Sequence, residues 1–158
     1  KNPRSAGIIR LAWLSLVVAC AAVGASGQAT SPSLKVRTIA EVETKVMEGG
    51  REVVRLVPAD RVVPGDEVLY TLEIRNMSRV DVVAPTVVNP VPAHVQYVAD
   101  SASGPGADIT YSADGGATFD TAENIKQKAS DYTHIRWKLR NTLKSHAVAF
   151  ARFRAVVK

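Results

Sequence analysis

From Leu34 onward, apolar and polar residues alternate with a period of two over most of the chain. Leu34, Val36, Thr38, Ala40, Val42, Thr44 and Val46 interleave with Lys35, Arg37, Glu41, Glu43 and Lys45. That period sends the two sets to opposite faces of a strand, so it predicts one long half-buried strand, or two joined by a kink. Gly49-Gly50 follows, and glycine is what a tight hairpin turn needs where the backbone takes positive φ. Residues 51–57 predict the returning strand, stopped at Pro58. Val63-Pro64-Gly65-Asp66 then reads as a turn, with Gly65 and Asp66 its key positions. It launches the clearest strand, with Val68, Tyr70, Leu72 and Ile74 on one face and Glu67, Thr71, Glu73 and Arg75 on the other. Asn76-Met77-Ser78 closes it, and Asn76 is expected there as a strand-end turn residue.

Further β-rich pieces are predicted at residues 80–88, 95–99 and 109–112, separated by proline and glycine clusters. Ile135, Trp137 and Leu139 alternate with Arg136 and Lys138. The last stretch, residues 147–157, is less regular, because Val148 and Phe150 share a phase with Arg152 and Arg154; a bulge or a change of sheet near residues 150–152 would explain it. Only residues 121–130 could form a helical turn, and they carry no apolar stripe. About seven to nine valine-rich strands punctuated by turns indicate an all-β antiparallel sandwich or barrel. Tyr70, Leu72, Ile74 and Trp137 are its expected core, since a tryptophan at inward phase commonly sits buried between the sheets.

Residues 1–29 follow a different rule. Lys1, Arg4 and Arg10 precede an apolar run, Leu11 to Val23, after which come small residues. This is the secretory-leader pattern, and the run falls short of the roughly 20 residues that span a bilayer comfortably. Val23-Gly24-Ala25 and Gly27-Gln28-Ala29 both suit a signal peptidase; a retained signal anchor is the other reading. Val17-Val18-Ala19-Cys20 also resembles a bacterial lipobox, which would make Cys20 a lipidation site and tether the product to a membrane. Otherwise Cys20 is a small hydrophobe in an apolar run. The chain then divides into a leader (1–29), a short polar lead-in (30–33) and one sandwich domain (34–158).

The leader changes the charge argument. The formal charge of +5 comes from 20 basic and 15 acidic residues, and the leader holds three of the former and none of the latter, which leaves the remainder at +2. That balance does not suggest nucleic-acid binding, which calls for a concentrated basic face. Cys20 is the single cysteine, so the domain carries no disulfide and must rest on an ordinary core.

Several segments, taken in order, resemble one family. Residues 64–76 run Pro-Gly-Asp into a strand with a central Tyr70 and an ending Asn76; Val87-Val88-Asn89-Pro90-Val91-Pro92-Ala93 gives a proline corner; Val95-Gln96-Tyr97-Val98, Ser101-Ala102-Ser103-Gly104, residues 111–119 and residues 131–137 follow. Together they resemble the conserved-repeat domain of bacteria and archaea, family eleven of the domains of unknown function. The resemblance implies an immunoglobulin-like β-sandwich in a secreted or surface protein, without a known activity. Two departures are Asn89, where that family usually has Asp, and Lys144-Ser145-His146, which replaces a Pro-Gly type of turn. With a single copy and no wall-sorting signal in these residues, an envelope or periplasmic product is expected.

Candidate chemistry is sparse. Ser112-Ala113-Asp114-Gly115-Gly116-Ala117-Thr118-Phe119 resembles an Asp-box, in which the Asp braces a hairpin tip; Asp114 and Gly116 are expected to do that here. The alternative is calcium at Asp114 with Asp108 or Asp120, though such a site needs six or more oxygens. His94, His134 and His146 show no metal-ligand spacing. Neither a strained Ser turn nor a phosphate-cradling glycine loop is present, so no catalytic residue, cofactor or metal ligand is assigned. An intramolecular isopeptide bond would need a buried lysine beside a buried asparagine, with Lys35 and Asn89 conceivable by type. The expected function is therefore a non-enzymatic structural or interaction module of the envelope or surface, binding other proteins by sheet-edge pairing or through a loop patch at residues 101–108. A small-ligand or carbohydrate-binding domain is the alternative and would show a cluster of exposed aromatics. Lys35, Arg37 and Lys45 hint at a charge-protected edge on the first strand.

Overall fold

The computed structural model describes residues 33–158; the leader, Cys20 and most of the polar lead-in lie outside them. The described residues form eight strands: β1 (Leu34–Glu48), β2 (Arg51–Pro58), β3 (Glu67–Asn76), β4 (Thr86–Pro90), β5 (Val95–Tyr97), β6 (Ala107–Ser112), β7 (His134–Leu139) and β8 (Val148–Val157). A single 3-10 turn, Ala129–Asp131, is the only helical element among them. The strands make two antiparallel sheets, one ordered β2-β1-β3-β8-β5 and the other β4-β7-β6. The expected all-β antiparallel sandwich is what the chain forms.

The core lies where the alternating patterns of the two sheets meet. Val68, Leu72, Ile74, Val87, Ile135, Trp137 and Phe153 are almost fully excluded from solvent, with Tyr70 close behind. Phe153 sits at the centre, stacked on Tyr70 at 4.8 Å between ring centroids and flanked by Trp137 and Tyr97. Tyr97, Tyr111 and Tyr132 form a second aromatic group beside it, tied by a hydrogen bond between the Tyr97 and Tyr111 hydroxyls. Burial, together with that bond, holds the Tyr111 hydroxyl above its ordinary pKa, as expected of a phenol that stays neutral in a core.

β1 is unusually long and serves two partners. Residues 34–42 pair with β3, whereas residues 41–48 pair with β2, so the β1–β2 hairpin runs on past the start of β3 as a two-stranded ribbon. Gly49 and Gly50 take positive φ at its tip. With a sheet on neither side, this ribbon leaves Met47, Val54 and Leu56 exposed. Lys45–Glu52 and Arg55–Glu48 ion pairs link its two strands. β1 is therefore interior to its sheet only where β2 covers residues 41–48; Lys35 and Arg37 lie on the half that β2 leaves open, which is a charged edge as expected, while Lys45 is inside the hairpin.

Two expectations for the strands need correction. Of residues 80–88, only the end belongs to β4; Val82 makes one isolated bridge to Leu143, and Ala84 takes a positive φ that breaks the extended run just before Pro85. The last strand has neither bulge nor change of sheet. β3 and β8 pair without interruption from Glu67↔Val156 to Arg75↔Val148. The irregular pattern has a simpler cause: the inward residues of β8 are Ala149, Ala151, Phe153 and Ala155, and Phe150 lies on the outer face with Arg152 and Arg154. Arg154 bridges Glu43 and Glu67 there, at 2.8 and 2.7 Å, tying β1, β3 and β8 together.

Candidate functional site

The residues singled out in the sequence form three separate places. Gly65, with positive φ, and Asp66 shape the turn before β3: the Asp66 carboxylate accepts from the Val63 N–H at 2.8 Å. The turn is stitched to the end of β8, since Gly65 N–H donates to Val157 O and Val157 N–H to Asp66 O.

Asn76 ends β3 wholly buried, and its amide works as a clamp. Nδ2 lies within 2.8–3.1 Å of the carbonyls of Val80, Leu143 and Lys144, while Oδ1 accepts from the Ser78 N–H and hydroxyl. Its backbone N–H also donates to Ala147 O. A strand-end residue by sequence thus holds both the loop after β3 and the segment that enters β8. In that segment His146 takes positive φ, the role that glycine has in a Pro-Gly type of turn.

Asp114 stands at the hairpin tip between β6 and β7. Its carboxylate accepts from the Ser112 hydroxyl at 2.6 Å, the Thr118 hydroxyl at 2.6 Å and the Thr118 N–H. Gly116, at positive φ, donates its N–H to Ser112 Oγ, and Tyr111 and Asp120 exchange backbone hydrogen bonds that close the tip. These hydroxyl donors, Ser112 first and then Thr118, hold the Asp114 carboxyl well below the usual carboxylate range. Both of its oxygens are occupied by protein donors. Asp108 is held by Arg140 and Asp120 by Asn124 and the Thr121 N–H, so the three carboxylates proposed as calcium ligands are each engaged elsewhere. Among the described residues, no group of three His, Cys, Asp or Glu side chains could hold a metal ion. His134 packs beside Thr133 and over Gly116, where burial lowers its pKa.

Lys35 and Asn89 are not brought together. Lys35 lines the outer face with Arg37, Glu73 and Arg75, whereas Asn89 is buried facing the core side and lies 3.4 Å from the Thr38 hydroxyl. Their phases put the sheet between them. The aromatic side chains are likewise committed: all four tyrosines and Trp137 are buried, Phe119 is capped by the Arg136 guanidinium, and Phe150, 48% exposed, is the single exposed aromatic among the described residues.

One place combines unmet backbone groups with an apolar hollow, and the sequence did not flag it. β5 covers β8 only over residues 155–157, and Ser103 bridges Arg152 through N–H and C=O in both directions. Beyond that bridge, residues 148–151 have β3 on one side and no strand partner on the other. Beneath this edge lies a cavity of about 260 Å³ between the sheets, lined by Ile74, Trp137, Leu139, Ala149, Ala151 and the loop at Gly104 and Pro105. It exists because the inner face of β8 presents two alanines here, and because Gly104 opposite has no side chain. A Cβ at Gly104 would come within 3.0 Å of the Trp137 ring, so only glycine lets the loop lie on the indole, whose Nε1–H donates to Ser103 O. Gly104, Pro105 and Phe150 also border an outer hollow with Arg152. The Ala-x-Ala spacing in a strand was the available signal, but its meaning depends on Gly104, which is distant in sequence.

Compared with known proteins, the chain matches no family model, no curated protein and no solved structure. Among the described residues, no helix is long and apolar enough to cross a membrane.

Proposed function

We propose that this chain is a non-enzymatic interaction module of the cell envelope or cell surface, exported by its leader. The observation that carries the reading is the open edge of β8 beside an apolar cavity. A sheet edge with unmet N–H and C=O groups pairs readily with another extended chain, and a hollow behind it supplies depth for side chains. The carboxylates tested as ligands brace turns or bridge strands, which suits a scaffold better than a reaction centre. The buried state of the tyrosines and Trp137 favours this reading over carbohydrate binding, which uses exposed rings. The resemblance to the conserved-repeat domain adds the expectation of a surface or envelope setting, with membrane contact only through a lipid on Cys20 or an uncleaved leader.

Fractionation of native cells, with intact mass and native size measured together, tests it. The expected result is a protein processed near residues 20–30, outside the cytosol, migrating with a partner. A full-length cytosolic monomer would overturn the proposal.

A further inference from the structure

Resting on the reading of the chain as a binding module, we propose that residues 148–151 of β8 are its docking edge. The partner that fits is an extended protein segment with a large apolar side chain next to an acidic residue.

The backbone defines the edge. In an antiparallel strand, alternate residues direct N–H and C=O to the same side. Arg152 uses both groups toward Ser103, so Phe150 is the next residue whose N–H and C=O face that side, where no strand lies. A segment laid along it sends alternate side chains inward and outward. The inward one meets the cavity under Ala149 and Ala151. At about 260 Å³ it exceeds the roughly 150 Å³ of an apolar cavity that accepts benzene, so a leucine or phenylalanine side chain fits.

Charge sets the outward neighbour. Arg154 is matched by Glu43 and Glu67, and Glu73, opposite Phe150, is held by Arg75. Arg152 is exposed, makes no ion pair among the described residues and borders the outer hollow with Phe150. A carboxylate beside Phe150 on the incoming segment reaches this guanidinium diagonally. Of the other edges in this sheet, β2 is flanked by Arg51, Glu52, Arg55 and Pro58 and belongs to a ribbon exposed on both faces, and the open half of β1 carries Lys35 and Arg37, which leave it without an apolar hollow. A second copy fits β8 poorly: antiparallel self-pairing centred on Phe150 would place Val148 of the copy where Ser103 already sits on Arg152.

The test uses the full chain and a defined probe, an acetylated decapeptide alternating threonine and leucine with one central threonine replaced by glutamate. Binding should slow exchange of the Phe150 amide about ten-fold or more without slowing β2. Phe150→Pro, which places a proline on the open side and keeps the β3 pairing, should abolish binding, as should Ala149→Leu, which fills the cavity. Arg152→Glu should shift preference to the same peptide with lysine in place of glutamate. Protection along β2, or self-association in place of peptide binding, would overturn this site but leave a binding module standing. A folded chain that binds neither peptide overturns the site, and only an additional cytosolic monomer in native cells would overturn the broader reading.

Discussion

Residues 153–157 of β8 lie between β3 and the β5 side of the sheet, with Phe153 packed beneath them among Tyr70, Tyr97 and Trp137. Residues 148–151 of the same strand pair with β3 alone and turn Ala149 and Ala151 toward a cavity. One strand thus ends in a filled, two-sided half and begins in a hollow, one-sided half. The filled half does what core packing does for stability, and its inward Phe153 and Ala155 are fully buried. The hollow half forgoes that packing, which is a cost the fold carries beside an open edge and an unmatched arginine.

The largest expected effect strikes the filled half. Phe153→Ala should cost about 3–5 kcal/mol, because it removes a fully buried ring at the junction of three others. Phe150→Ala, half-exposed on the other half, should cost under about 1 kcal/mol. Equal losses in denaturant unfolding would erase the contrast. Next comes Asn76→Ala, which removes a buried amide that bonds the carbonyls of Val80, Leu143 and Lys144 and accepts from Ser78; each carbonyl keeps a second donor, so the cost should be about 1–2 kcal/mol. Since this clamp holds the entry to β8, hydrogen exchange should quicken at residues 148–151 more than at 153–157. Ala149→Leu should make the halves more alike, raising stability by about 1 kcal/mol through added apolar burial; a loss instead would mean that the cavity is too tight to fill.

The smallest effect belongs to Asp114→Asn at the remote hairpin tip, and it should leave both halves of β8 unchanged. The folded-state pKa of Asp114 is depressed, so its contribution is fully present above about pH 4 and is lost as pH falls through the lower folded value. The difference in Tm between the native chain and Asp114→Asn should therefore shrink on acidification. A gap that stays constant with pH would mean that the carboxylate's charge is not what braces the turn.

Much of this fold was legible because period-two patterning and turn chemistry act locally. The faces of β1, β3 and β7, the Gly49-Gly50 turn and the Asp114 tip all follow from a few neighbouring residues. Residues 80–85 misled because valine-rich sequence satisfies strand propensity, while a strand also needs a neighbour, and Val82 finds only one bridge. β8 misled for the converse reason: its pairing is regular, but small alanines occupy its inner face, so its hydrophobic signal looks out of phase.

The sequence by itself settled that most of residues 34–158 alternate as strands, where several of them turn, and that Tyr70 and Trp137 face inward, since each depends on local sterics and on burying one face. Tertiary structure decided that β8 pairs with β3, that the amide of Asn76 locks the entrance of β8, and that Gly104 meets Trp137 opposite two alanines. Those outcomes join residues far apart in the chain. Whether a small side chain leaves a hollow depends on what the fold places across from it, and no local pattern carries that information.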